Sequence, residues 1–229
     1  TSPNHAASAS PFRGLAVNKE GSLAVMINEE DHLRIQCLLP GLQLEQSYNL
    51  AGQVDDSLEK HLDYAFDERR GYLTSCPTNV GTGMRASVML HLPAMVMAGQ
   101  ISLIFQNISQ LGMTVRGLYG EGTEIIGNLY QLSNQVTMGL TEDDIINNLS
   151  IITKQMIEQE RLLRQKLYKE MQYQLEDKIG RSYGILKHAC VLSSNEALTL
   201  LSDVRLGVDM GIIKNIQPLT LNELEVAIR

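Results

Sequence analysis

Residues 76–88 read Cys-Pro-Thr-Asn-Val-Gly-Thr-Gly-Met-Arg-Ala-Ser-Val, a loop of small residues that runs into an alternating apolar segment. Gly81 and Gly83 permit backbone shapes that other residues avoid, and they let main-chain N–H groups come close to an anion. The planar guanidinium of Arg85 suits phosphate or carboxylate better than the point charge of a lysine does. The stretch alone still favours a simpler interpretation, an ordinary glycine-rich turn with a buried cysteine at Cys76.

The composition is that of an ordinary globular protein, with 229 residues, 44% hydrophobic and 20% charged. The formal net charge of −7 argues against non-specific binding to nucleic acid or to anionic membranes, and it favours basic partners. The apolar runs are too short to span a bilayer. We expect a fragment at both ends, because the chain starts at Thr1 and a helical pattern is still running at Arg229.

The three cysteines are widely spaced, and no Cys-x-x-Cys pair occurs among Cys37, Cys76 and Cys190. An odd number without pairing indicates neither a disulfide framework nor a zinc site. Thiols of this kind are typical of a reducing compartment, so the sequence predicts a cytoplasmic protein.

Periodicity predicts an α+β fold, in which an antiparallel sheet is flanked by helices and followed by a helical domain. After an irregular lead-in over residues 1–20, we expect strands at 23–27, 33–38, 72–74, 86–92, 113–118 and 125–136, and helices at 43–66 and 93–111. Helical spacing then runs from 141 to about 178, and capping boxes at 193–196 and 220–223 predict two further helices. The predicted domains are therefore 1–140 and 141–229.

Three loops between predicted strands carry most of the unusual polar residues, namely 28–34, 76–85 and 116–124. Each supplies an arginine, and two of them supply acids. If the loops converge, they form a set of arginines beside a carboxylate pair, which would suit a polyphosphate and a cationic acceptor. Taken singly, the same residues are more simply explained as solvated strand-end charges and turn caps, and His32 as a structural imidazole. The P-loop and protein-kinase motifs are absent from the sequence.

The combination of these loops resembles a known family. Residues 28–34, 76–85 and 116–121 are similar, in order and spacing, to the three signature motifs of the ATP:guanido phosphotransferases, or phosphagen kinases. The resemblance covers about residues 10–140 and implies the C-terminal part of the guanido kinase catalytic domain, with its N-terminal part missing.

Within that family the chain most resembles the protein-arginine kinase (McsB) branch. The similar stretches are 25–32, 63–68, 72–83 and, in the helical extension, 201–207. Met89 and Gly122 stand where many phosphagen kinases carry histidine, and both changes look typical of this branch. The upstream Ser-Arg-x-Arg segment of the family has no match, which predicts weak ATP binding by this chain alone.

The resemblance also implies roles for individual residues. Arg34, Arg85 and Arg116 would grip the ATP phosphates, and Mg²⁺ would bridge phosphate oxygens without a protein metal ligand. Glu30 and Glu121 would hold the acceptor guanidinium, with Glu121 as the base, and Cys76 would position the reacting nitrogen and be sensitive to oxidation. The remaining implied ATP contacts are backbone groups of Ala86, Ser87, Val88, Met89, Gly117, Leu118, Tyr119, Gly120 and Glu121.

The function implied is transfer of the ATP γ-phosphoryl group to arginine side chains of proteins, which would mark proteins or repressors for regulation or degradation in a stress response. Two alternatives stay open, a kinase of a free guanidino metabolite and a catalytically impaired module that binds phosphoarginine or partners. Partners implied by the resemblance are a CtsR-like repressor as substrate, the zinc-binding activator McsA, the ClpC unfoldase and a second copy bound through the helical domain. Neither a membrane nor nucleic acid is expected as a direct partner.

Overall fold

The structure is a computed structural model of the chain, and it describes residues 12–117 and 126–228. Its strands are β1 Gly14–Val17, β2 Leu23–Ile27, β3 Leu33–Cys37, β4 Phe66–Asp67, β5 Gly71–Tyr72, β6 Ser87–His91, β7 Met113–Gly117 and β8 Leu129–Asn134. Its helices are α1 Leu44–Glu59, α2 Pro93–Met97, α3 Ile101–Gln110, α4 Glu142–His188, α5 Ser194–Asp209 and α6 Pro218–Ala227. Helix α4 is kinked at Met171, whose φ of −137° and ψ of 40° are not helical. This α+β content agrees with the predicted fold class.

The described chain forms two compact units. The first contains the residues up to Ala86 together with Asn134–Ser150, and the second contains Ser87–Ser133 and the residues from Ile151 onward. In the first unit β1, β2 and β3 form an antiparallel sheet in which Val25 lies opposite Ile35 and Met26 is buried. A short hairpin of β4 and β5 follows α1.

The second unit contains a three-stranded sheet in the order β6-β8-β7, with β6 and β8 antiparallel. Its helical part is held by apolar contacts between α4 and α5 and between α5 and α6. The buried members of these clusters are Leu175, Ile179 and Leu206, and Leu201, Val204 and Leu221. Within residues 12–117 and 126–228, no helix is both long and apolar enough to cross a membrane.

Several sequence predictions about single elements were wrong. The lead-in contains β1, which pairs with β2. The first helix ends at Glu59 instead of residue 66, because Phe66–Asp67 pairs with Gly71–Tyr72 as a hairpin. The predicted strand at 72–74 is correspondingly shorter and ends at Tyr72.

Two helix predictions and one strand prediction also need correction. The helix over 93–111 is divided into α2 and α3, and Gly99 between them has a φ of 66°, which an α-helix cannot contain. The capping box at 220–223 is wrong, since α6 begins at Pro218 after Gln217. Strand β8 starts at Leu129, later than the predicted residue 125.

Candidate functional site

The acidic stretch 28–34 forms the turn between β2 and β3. Asn28 adopts a positive φ of 55°, its side chain donates to the carbonyl of Phe12 at 2.7 Å, and its Oδ1 accepts from His32 Nδ1 at 3.0 Å. The Asn28 N–H closes the turn on the carbonyl of His32 at 2.9 Å. These contacts agree with the structural role that the sequence favoured for His32.

Arg34 is paired within the same turn. Its Nη1 lies 3.2 Å from Glu29 Oε2, and the Glu29 side chain is only 9% exposed whereas that of Arg34 is 49% exposed. A half-exposed pair adds little to stability, but it limits the directions in which the arginine can point. Glu30, the neighbouring carboxylate proposed for the acceptor, is exposed.

Two of the three predicted loops meet in the first unit. The carboxylate of Asp31 accepts a hydrogen bond from the backbone N–H of Ser75 at 2.6 Å, although the two residues are 44 positions apart. A charged acceptor makes this a strong hydrogen bond. It joins the turn that carries Glu30 and Arg34 to the residue before Cys76, a role for Asp31 that the sequence pattern did not indicate.

Cys76 begins a short 3₁₀ turn over Pro77–Asn79. Its Sγ lies 2.9 Å from the Thr78 hydroxyl, and its carbonyl accepts from the Thr74 hydroxyl at 2.7 Å. The thiol is partly exposed. Two threonine hydroxyls thus fix the place and direction of this cysteine.

The glycine part of the loop is held against Tyr72 and Thr137. Tyr72 and Gly81 exchange two backbone hydrogen bonds, at 2.8 and 3.3 Å. Gly81 has a φ of 114°, and a Cβ placed on it would lie 2.2 Å from the carbonyl oxygen of Thr137. A glycine is therefore required here, both by the backbone conformation and by the closeness of the neighbouring chain.

The end of β8 and the residues after it support the same loop. The Asn134 side chain accepts from the N–H of Ala86 at 2.8 Å and donates to the carbonyl of Met84 at 3.1 Å, so it bonds both neighbours of Arg85. Thr137 Oγ1 lies within hydrogen-bond distance of the carbonyls of Thr78 and Val80. Asn134 lies inside the strand predicted at 125–136 and Thr137 just beyond it, so neither was predicted as a site residue.

Tyr72, whose backbone bonds Gly81, also packs against two other aromatic side chains. The rings of Tyr64 and Phe66 contact the Tyr72 ring edge to face, with centroids 6.1 and 5.2 Å apart. Burial, followed by the negative charges of Asp55 and Glu59, raises the pKa of Tyr72. Tyr72 therefore stays a neutral phenol and supports the loop by packing.

The other predicted site residues belong to the second unit. Ser87, Val88 and Met89 open β6, with the Ser87 hydroxyl 2.9 Å from that of Ser133 and Met89 exposed. Arg116 and Gly117 end β7. Leu118, Tyr119, Gly120 and Glu121 lie outside the described residues.

Comparison with known proteins shows the family to which this chain belongs. Residues 2–163 match the family model described as ATP:guanido phosphotransferase, C-terminal catalytic domain. The chain belongs to this phosphotransferase family. Residues 172–229 match a second model, described as the protein-arginine kinase McsB C-terminal domain.

Relatives of this phosphotransferase chain are strongly similar over almost its whole length. It is 68% identical over 228 residues to a protein-arginine kinase of Syntrophomonas wolfei subsp. wolfei, covering 100% of the chain and 64% of the relative. It is 58% identical over 217 residues to that of Desulforamulus reducens, covering 95% of the chain and 61% of the relative. The chain thus spans less than two thirds of the length of these curated relatives.

Solved structures of the family are similar in fold. The duplicated taurocyamine kinase of Schistosoma mansoni superposes with a TM-score of 0.58 at 32% identity, over 73% of this chain and 24% of that one. Lombricine kinase gives a TM-score of 0.60 at 29% identity, over 66% of this chain and 42% of that one. The fold prediction is confirmed by these neighbours together with the family model.

Proposed function

We propose that this chain is the larger part of an enzyme that transfers the γ-phosphoryl group of ATP to arginine side chains of proteins. The observation that carries the proposal is the match of residues 172–229 to the C-terminal domain of protein-arginine kinases, in addition to the catalytic-domain match. A kinase of a free guanidino metabolite is the second candidate, because two solved neighbours are named taurocyamine kinase and lombricine kinase. The 68% identity to a protein-arginine kinase, against 29–32% to those neighbours, favours the protein substrate.

The proposed reaction is an in-line transfer. A guanidinium nitrogen of the substrate arginine attacks the γ-phosphorus, a P–N bond forms, and the P–O bond to the leaving ADP breaks. Because the transition state is loose and anionic, positioning and charge neutralisation supply most of the rate. In this proposal Arg34, Arg85 and Arg116 neutralise the phosphates, and Glu121 accepts the proton that the nitrogen loses.

The acceptor end of the site is proposed to include Glu30 and Cys76. The hydrogen bond from Ser75 to Asp31 supports this assignment, because it ties the turn that carries Glu30 to the chain that carries Cys76. An exposed carboxylate and a partly exposed thiol can both reach a substrate guanidinium that approaches from solvent. Cys76 is proposed to position the nitrogen and to be sensitive to oxidation.

Mg²⁺ is proposed to arrive with the nucleotide. In phosphoryl-transfer sites this ion is held mainly by substrate phosphates and water, with one or two carboxylates at most. Over residues 12–117 and 126–228, no group of three or more His, Cys, Asp or Glu side chains is placed to hold a metal. In this proposal the ion neutralises phosphate charge, and no protein ligand is assigned to it.

The acceptor test uses the full-length protein with γ-labelled ATP and either free arginine or an arginine-rich protein. We expect acid-labile label on the protein only, since phosphoarginine contains a P–N bond. Label on free arginine would instead select the metabolite kinase, and label on neither acceptor would favour the impaired binding module.

The base assignment is tested by Glu121→Gln, which keeps the size of the side chain and removes its ability to accept a proton. We expect phosphoryl transfer to be lost and the unfolding midpoint to stay unchanged. Glu68→Gln is the matched control, because Glu68 is exposed in the β4–β5 turn and has no proposed role. Full activity of Glu121→Gln would remove this residue as the base.

Partners and location are proposed only by resemblance to the branch. They are a CtsR-like repressor as substrate, the activator McsA, the ClpC unfoldase, a second copy through the helical domain, and the cytoplasm as the compartment. Co-purification of each candidate with the full-length protein, before and after phosphorylation, would test the set. A partner that binds equally to an unrelated kinase would be removed from it.

A further inference from the structure

Asn134, the last residue of β8, makes an unusual set of hydrogen bonds to the arginine loop. Its Oδ1 accepts from the N–H of Ala86 at 2.8 Å, and its Nδ2 donates to the carbonyls of Met84 and Val136, both at 3.1 Å. Its own N–H donates to the carbonyl of Ala86 at 3.3 Å. Asn134 is only 3% exposed, so these backbone groups, and not water, satisfy the hydrogen-bonding groups of its side chain.

The chemistry of these contacts is specific for an amide. One side chain must supply an acceptor for an N–H and two donors for carbonyls at the same time, and among short side chains only Asn does so. An ionised Asp would place a carboxylate oxygen against two carbonyl oxygens, which would repel it. Ala would leave the N–H of Ala86 and the carbonyls of Met84 and Val136 without their side-chain partner. Each buried group left unsatisfied costs free energy.

Arg85 lies between the two residues that Asn134 holds. The side chain of Arg85 is exposed, whereas Met84 and Ala86 on either side are partly buried. Fixing the backbone before and after Arg85 fixes its Cα–Cβ direction and therefore the region that the guanidinium can reach. Preorganisation of this kind matters most where a charged group must meet a phosphate.

Thr137 gives the same support to the first half of the loop. Its hydroxyl can donate to the carbonyl of Thr78 at 2.9 Å or of Val80 at 2.8 Å, and its own carbonyl accepts from the N–H of Thr82 at 3.0 Å. Thr137 is only 8% exposed. Asn134 and Thr137 therefore support the loop from residue 78 to residue 86.

We propose that Asn134 is a positioning residue for nucleotide binding, which acts by holding the backbone on both sides of Arg85, and that Thr137 assists it by holding the glycine segment. The proposal rests on the proposed function, since it takes ATP as the ligand of Arg85. It assigns no contact between Asn134 and the nucleotide.

The experiment measures the Kd for Mg·ATP and the KM values for ATP and for an arginine-rich protein, using the full-length protein. Asn134→Asp and Asn134→Ala are each expected to raise the Kd for ATP by about tenfold or more, because small misplacements of a catalytic group carry such costs. The KM for the protein acceptor is expected to stay within about twofold. Equal increases in both KM values, or an unchanged Kd for ATP, would overturn the proposal.

Asn18→Ala is the matched control. In the β1–β2 turn, the Asn18 side-chain oxygen accepts a hydrogen bond from the N–H of Leu23 at 3.0 Å. The variant therefore removes a comparable side-chain acceptor from the same unit. We expect its ATP affinity to equal that of the wild type. An equal loss of ATP affinity in the control would show that loosening of the fold, and not positioning of Arg85, explains the Asn134 variants.

Thr137→Val keeps the shape of the side chain and decides the case if both Asn134 variants fail to fold. We expect it to fold and to weaken ATP binding several-fold, and unchanged affinity would then overturn the proposal. Hydrogen exchange of the Ala86 amide separates this inference from the proposed function. If the wild type does not bind ATP, the nucleotide assignment is wrong, and with it the part of the inference that concerns ATP. Faster exchange in Asn134→Asp would still confirm that Asn134 fixes the loop backbone.

Discussion

Replacing Gly81 by alanine tests how closely the glycine loop is packed against the chain after β8. The φ of Gly81 is 114°, a conformation that alanine rarely adopts, and the added Cβ would lie 2.2 Å from the Thr137 carbonyl oxygen. Backbone strain of this type costs about 1–3 kcal/mol. Forcing extra volume into a packed place adds about 1–3 kcal/mol. We therefore expect Gly81→Ala to lower the free energy of unfolding by roughly 4 kcal/mol.

Two other glycines separate the two contributions. Gly139 has a φ of 81° with nothing within 4 Å of an added Cβ, so Gly139→Ala should show strain alone, about 1–2 kcal/mol. Gly52 lies inside α1, where a Cβ added to it would meet nothing within 4 Å apart from its own helix, and Gly52→Ala should stabilise the protein by about 0.5–1 kcal/mol. The difference between the Gly81 and Gly139 variants isolates the contact with Thr137.

The assay is equilibrium unfolding in urea followed by circular dichroism, with the slope of each transition checked against that of the wild type. If Gly81→Ala costs no more than Gly139→Ala, the carbonyl of Thr137 does not require a glycine at position 81. That result would refute the close packing on which the support of the loop by residues 134–137 depends.

Three further predictions concern single charged or titratable groups. Burial, followed by nearby arginine charges, lowers the pKa of His91 to about 3. The unfolded state therefore binds a proton that the folded state does not between about pH 6.5 and pH 3, so the free energy of unfolding should fall by about 1.4 kcal/mol per pH unit across that window. Unfolding of His91→Gln measured against pH should lose this slope. Glu160 is only 3% exposed, and its carboxylate accepts hydrogen bonds from two backbone N–H groups at the start of α2 and from Arg164 at 2.7 Å. Glu160→Leu should lower the free energy of unfolding, measured in urea, by about 3–5 kcal/mol, because these three donors lose the carboxylate that accepts from them. Asp31→Ala should speed exchange of the Ser75 amide, whereas Asp31→Asn, which keeps an acceptor, should change it less, and equal protection in both variants would contradict the proposed link between the two loops.

Local sequence pattern predicted the bounds of two strands closely. Strand β3 alternates between apolar and polar residues, whereas β2 is apolar at every position, and both were found within a residue of their predicted bounds. The first helix failed at its end, because Phe66 continues the apolar spacing but pairs with Tyr72 in a hairpin. Helical periodicity cannot show that a partner strand five residues further on competes for the same residues.

The candidate site could be predicted only in part, and for a physical reason. The motif residues are recognisable because each loop is short and chemically distinctive, but the contacts that place the loops join residues 44 and 48 positions apart. A loop rich in Gly, Thr and Ser has little apolar surface to bury, so hydrogen bonds must fix it. Its buried carbonyls and N–H groups need partners from a neighbouring strand, and short amide or hydroxyl side chains at a strand end can serve both kinds of group. Asn and Thr near the end of a predicted strand are therefore the signal by which the support of such a loop can be sought, and Asn134 and Thr137 match that pattern.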